Sequence, residues 1–87
     1  EKVAQIYLKQ KEYGNGITHA EQILKIDPTW EEAYRLLMLA YYRLQNRPQS
    51  IKWYERCVKV LDEELAIEPM QATIDLYQMI IHDDEWK

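Results

Sequence analysis

The chain has 87 residues, of which 47% are apolar and 30% charged, with a formal net charge of -4. That size allows one domain with a modest core, and the composition is that of a globular rather than a disordered chain. It excludes a membrane span, because no apolar run approaches the roughly 20 residues a span requires, and the acidic balance argues against nucleic-acid binding by this stretch alone.

Taken in order, Val3 to Tyr13 is predicted as a first helix, with Val3, Ile6 and Tyr7 facing one way. Gly14-Asn15-Gly16 is expected to end it, since both residue types tolerate a helix terminus. A second helix follows over Ile17 to Ile26, with Ala20, Ile23 and Leu24 inward, and Asp27-Pro28 stops it. Thr29-Trp30-Glu31-Glu32 reads as a capping box, Thr29 accepting from the amide of residue 32 and Glu32 reaching back to the Thr29 amide. The third helix runs from about Trp30 to Gln45. Its inward stripe is Tyr34, Leu37, Met38 and Tyr41, at the i, i+3, i+4, i+7 spacing of one helical face.

Asn46-Arg47-Pro48 forms a short break, and Pro48 suits the first turn of a fourth helix reaching Glu64 or Leu65. Its stripe is Ser50, Tyr54, Cys57 and Leu61, with Ile51, Val58 and Leu65 beside it; Asp62-Glu63-Glu64 reads as its solvated end, the alternative being that Glu64 braces the connector to Pro69. Two striped helices with a short link pack antiparallel. Ala66 to Pro69 is an extended connector, because the residue before proline is pushed away from helix. A fifth helix spans about Gln71 to His82, with Ile74, Tyr77, Ile80 and Ile81 inward, before the acidic run Asp83-Asp84-Glu85, where it should fray. No stretch alternates apolar and polar residues long enough to make a strand, so the chain is read as all-α. It is read as one unit over 1–87: helix hairpins at about 3–27 and 30–65 and a closing helix at about 70–83.

A shift of 34 residues superposes Val3 on Leu37, Tyr7 on Tyr41, Gly16 on Ser50, Ala20 on Tyr54 and Ile23 on Cys57. In that register the tyrosine plugs the base of a hairpin and the small residue lets two helices approach. The pattern resembles the tetratricopeptide repeat. The resemblance implies a right-handed stack of antiparallel helix hairpins, here with about five helices. Further on, Glu32-x-Tyr34-x-Leu36-Leu37-Met38, Tyr42, Tyr54-Glu55-Arg56-Cys57, Leu61-x-x-Glu64-Leu65-x-Ile67-Glu68-Pro69 and Thr73-x-x-Leu76-Tyr77-x-x-Ile80 follow one another. This succession, from about Ile17 to Ile81, closely resembles the bacterial transcriptional activator domain, with Ala66 where a glycine is common. The resemblance implies a helical module that stands beside a DNA-binding domain in bacterial regulators. The stretch is then a fragment of a longer, cytoplasmic protein.

Cys57 falls on the buried stripe and is read as a core residue, since a single cysteine can form no internal disulfide. Neither His19 nor the run His82-Asp83-Asp84-Glu85 has a metal-ligand spacing, and no nucleophile has a base beside it, so neither an enzyme nor a cofactor is expected. Trp30, Trp53 and Trp86 are read as partly exposed. Charge is segregated: Arg43, Arg47, Lys52, Arg56 and Lys59 are interrupted by Glu55 alone, whereas acids dominate from Asp62 onward.

The candidate partner-binding surface is a second stripe on the third helix, Arg35, Leu39, Tyr42 and Arg43. The 34-residue shift extends it to Leu8 and Lys9. The tetratricopeptide resemblance implies that such a face lines a concave groove. The alternative is that Leu39 and Tyr42 pack on the fifth helix or on helices that precede this stretch in the longer protein. The expected function is a non-catalytic protein-interaction or oligomerisation module of a bacterial regulator. Its partners would be its own DNA-binding domain, a second copy or the transcription machinery, with no nucleic acid held directly and no membrane. The other reading is a generic tetratricopeptide-type scaffold that binds peptides outside transcription.

Overall fold

A computed structural model describes residues 2–83, with side chains from residue 12 onward. Among these residues there are four helices and no strand: α1 (Lys2–Ile26), α2 (Glu31–Arg43), α3 (Arg47–Leu65) and α4 (Gln71–Ile81). The all-α reading holds, but the first two expected helices are one. Gly14, Asn15 and Gly16 lie inside α1, and neither glycine has a positive φ. Glycine permits a helix end without demanding one. Two interior glycines cost about 1 kcal/mol each relative to alanine, less than burial of Ile17 and Ala20 against the core returns at ~1.5–3 kcal/mol for an isoleucine alone. Thr18 Oγ1 also donates to the Gly14 carbonyl at 3.0 Å, tying the turn across the glycines.

The capping box at Thr29 does not form either. α2 starts at Glu31 with Trp30 as its N-cap, and no side chain caps it. The Thr29 amide and hydroxyl both donate instead to Asp27 Oδ1, at 3.0 and 2.7 Å, which makes the α1–α2 turn a local loop of its own. The hydroxyl and then the amide of Thr29 hold the Asp27 carboxyl below the usual range. The α2–α3 break conforms to expectation: Pro48 sits in the first turn of α3, and Asn46 Oδ1 accepts from the Gln49 amide at 3.3 Å.

α2 is the hub. It packs on α1, α3 and α4, while α1 packs on α2 alone among the described residues. Facing pairs give the directions. Met38 meets Ser50 and Tyr34 meets Trp53, so α3 runs antiparallel to α2. Tyr54 meets Tyr77 and Arg47 reaches the Ile81 carbonyl, so α4 runs antiparallel to α3 and parallel to α2. The core is Ile17, Ala20, Ala33, Tyr34, Leu37, Met38, Ala40, Trp53, Cys57, Leu61 and Ile80. Ser50 is fully buried and donates from Oγ to the Met38 carbonyl at 2.7 Å, so the small residue does draw α3 onto α2. Four positions differ from expectation. Tyr41 is only half-buried, Val58 and Leu65 are exposed, and Trp53, read as partly exposed, is 8% accessible and part of the core.

Gly16 is not the counterpart of Ser50. A Cβ placed on it meets nothing within 4 Å, and it borders a hollow of about 130 Å³ shared with Tyr13, Leu36 and Leu39. Gly16→Ala should therefore raise stability by about 0.5–1 kcal/mol through helix propensity alone. A melting temperature that falls on this substitution would show that the hollow closes in solution. The tyrosine pairing of the repeat falls partly outside the described side chains, since Tyr7 precedes residue 12.

Candidate partner-binding surface

Arg35, Leu39, Tyr42 and Arg43 share one stripe of α2, as helical spacing requires. Their environments differ. Arg35 turns to α4: its guanidinium donates to Thr73 Oγ1 at 2.9 Å and lies 3.8 Å from the Glu31 carboxylate. The same carboxylate oxygen accepts from the Thr73 hydroxyl and, at 2.6 Å, from the amide of Met70, the N-cap residue of α4. α4 has no side-chain cap of its own, so Glu31 supplies from α2 the acceptor that the α4 start lacks. Glu64 is exposed together with Asp62 and Glu63, which agrees with a solvated helix end rather than a brace for the connector. Arg35 is thus part of an internal polar lock as well as of the stripe.

Leu39 is half-buried on the hollow with Tyr13, Gly16, Leu36 and Ala40, and Leu36 beside it is 49% exposed. Tyr42 is half-buried against the core, and Arg43 is exposed in the last turn of α2, where a cation opposes the negative end of the helix. Leu8 and Lys9 belong to α1, and their side chains lie outside those described. The described part of the stripe is therefore an apolar strip, Leu36-Leu39-Tyr42, ending in a free-standing arginine.

The sequence reading passed over a second concavity. A cleft of about 530 Å³ opens between α1 and α3, with Leu24, Tyr34, Trp53 and Val60 among its walls. The Tyr34 hydroxyl donates to the Pro28 carbonyl at 2.6 Å, and burial raises its pKa. The Trp53 ring sits 6.1 Å from Tyr34, and the Arg56 guanidinium lies over it at 4.6 Å. Tyr54, stacked on Tyr77 at 3.9 Å, forms part of a third hollow between α3 and the connector.

Cys57 is fully buried, and burial pushes its thiol up to about 12. At pH 8 the thiolate population is then roughly a thousandfold below that of an exposed thiol. Native protein should accordingly resist a thiol-disulfide reagent and react within seconds in denaturant. Equal rates in both would place the sulfur at the surface. His19 is exposed, and His82 Nε2 lies 3.0 Å from Gln78 Oε1. Among the described residues no three His, Cys, Asp or Glu side chains gather as metal ligands, and no helix is long and apolar enough to cross a membrane. Trp30 is 52% exposed, whereas Trp86, Asp84 and Glu85 lie outside the described residues.

Comparison with known proteins agrees with the motif succession. A family model described as "Bacterial transcriptional activator domain" matches residues 1–81, so the match takes in the first half of α1 as well. The chain is 32% identical over 65 residues to the "Transcriptional regulatory protein MoaR1" of Mycobacterium bovis and to that of Mycobacterium tuberculosis. The match covers 75% of this chain and 21% of each relative, so the chain spans about a fifth of their length. No solved structure matches.

Proposed function

The chain belongs to the bacterial transcriptional activator domain family, and from that premise we propose that it is a non-catalytic interaction and oligomerisation module of a transcription regulator. Its DNA-binding domain would lie elsewhere in the protein. The names of the relatives support the regulatory setting, and the match takes up only 21% of their length, which leaves room for such a domain. Parallel α2 and α4 with the antiparallel α3 between them support a tetratricopeptide-like right-handed stack, with α2 and α3 making one hairpin.

The observation that carries the reading is the apolar strip Leu36-Leu39-Tyr42 with Arg43 at its end, a surface the fold builds and then leaves partly uncovered. An aromatic beside an exposed arginine suits a partner segment that is amphipathic and acidic. Lys9 and Leu8 would extend the same face along α1. Arg35 contributes by holding α4 in place. The partner is the regulator's own DNA-binding domain, a second copy or the transcription machinery, in the cytoplasm; the net charge of -4 leaves DNA contact to the other domain.

The test uses the full-length regulator. Leu39→Lys combined with Arg43→Glu should preserve helicity and promoter affinity, yet lower transcription activation or self-association by roughly tenfold, the usual scale for removing interface anchors. Unchanged activation together with unchanged mass by light scattering would reject this face as the interface.

A further inference from the structure

Trp53 is an anomaly in the core. Its side chain is more than nine-tenths buried, yet its indole N–H has no hydrogen-bond partner among the described residues. Buried donors are nearly always paired, because an orphan loses its water and receives nothing in return. The ring lines the 530 Å³ cleft between α1 and α3, a volume within the range of ligand sites. The cations that line the cleft are Arg56, stacked over the Trp53 ring, and Lys25 from α1, and neither has a carboxylate partner among the described residues. Glu21 is the one acid in the lining. Beyond the rim, Lys52 and Lys59 stand exposed on α3, one turn either side of Arg56.

We propose that this cleft is a second docking site, taking a protein segment that presents an acidic side chain next to an aliphatic one. The carboxylate meets Arg56 and Lys25 at the cleft, and a side-chain shift on docking uncovers for it the Trp53 N–H, which is closed to solvent in the unbound chain. The guanidinium already lies over the indole ring, so an anion drawn to Arg56 is brought to the Trp53 side of the cleft. The aliphatic side chain covers Leu24, Tyr34 and Val60. Charge complementarity selects an acidic segment: from Arg43 to Lys59 the chain carries five bases and one acid. The site shares no residue with the Leu39–Arg43 stripe, so either can fail without the other.

The probe is an acetylated, amidated hexapeptide alternating glutamate and leucine, titrated into the 87-residue chain. The readout is the indole N–H resonance of Trp53, assigned by its loss in Trp53→Phe. A saturable downfield displacement is expected for this resonance and not for that of Trp30. Replacing the peptide's glutamates by glutamine should weaken binding roughly tenfold or more, the scale of one charge-assisted hydrogen bond. Arg56→Gln should do the same, and Lys25→Gln should weaken it about threefold; both positions are exposed, so the helical spectrum should persist. An unmoved Trp53 resonance overturns the proposal, as does equal binding of the glutamine peptide. Tighter displacement by a single-stranded oligonucleotide would overturn it too, by assigning the cleft to phosphate.

Discussion

Tyr34→Ala should leave the domain largely unfolded at 37 °C. The side chain is 2% exposed, its ring packs on Trp53, and its hydroxyl holds the Pro28 carbonyl across the α1–α2 turn. Removing a buried aromatic costs roughly 3–5 kcal/mol. At ~0.05–0.15 kcal/mol per residue, a domain of this length has only about 4–13 kcal/mol in total. With each kcal/mol worth about 4–8 °C in a domain of this size, the melting temperature should drop by roughly 12–40 °C. Tyr34→Phe keeps the ring and should lose about 1 kcal/mol, the net worth of one hydrogen bond. Tyr41→Ala is the informative control. The 34-residue register makes Tyr41 the central plug, but the structure leaves it half-buried, so its loss should shift melting by less than half as much as Tyr34→Ala. Equal shifts at the two positions would restore the register and remove Tyr34 from the centre.

The second large effect is expected at the start of α4. Arg35→Glu would set a second carboxylate beside Glu31 and remove the donor to Thr73. Both side chains are partly shielded, with 10% of Glu31 and 24% of Arg35 accessible, so the loss should be about 2–3 kcal/mol rather than the small value of a surface pair. Hydrogen exchange should rise first in α4, whose N-cap amide depends on Glu31. Glu31→Ala and Thr73→Ala should be non-additive by more than ~0.5 kcal/mol, because they delete members of one network. Arg43→Glu, on the same stripe but exposed, should stay within about 0.5 kcal/mol of the parent. Additive effects at Glu31 and Thr73 would dissolve the lock into independent contacts.

These cases show how much the sequence could carry. The α2–α3 hairpin was legible because two signals agreed: apolar periodicity on both sides of a break, and Pro48 where a first turn tolerates it. α4 and its connector were legible from Pro69 and the following apolar stripe. The first helix was misjudged because Gly14-Asn15-Gly16 states a local preference worth about 2 kcal/mol, and tertiary burial of Ile17 and Ala20 overrides it. Trp53 was misplaced for a related reason. It falls one position off the Ser50-Tyr54-Cys57-Leu61 stripe, but α3 is covered on two sides, by α2 and α4, so its buried arc is wider than one stripe. The role of Glu31 had no local signature, since it bonds residues 39 and 42 positions away. A capping box was the nearest sequence pattern, and it pointed at the wrong glutamate. Periodicity puts Leu39, Tyr42 and Arg43 on one face of α2, while the diversion of Arg35 to Thr73 depends on the fold.

The resemblance to the family left one residue to explain, and the structure explains it. Ala66 follows α3 with φ 54, a left-handed conformation that glycine adopts freely and alanine at a cost of about 1 kcal/mol. Its amide still closes the end of α3 on the Asp62 carbonyl at 3.0 Å, so the turn keeps its geometry despite the residue.

The one-sided attachment of α1 has a mechanical consequence. A pull on the amino end loads a single seam, because among the described residues that helix leans on α2 and on neither of the other two. It should peel away at low force while the three-helix remainder stays closed, and in peeling it would take one wall of the Trp53 cleft with it. A load on the amino end would therefore open that cleft without melting the core.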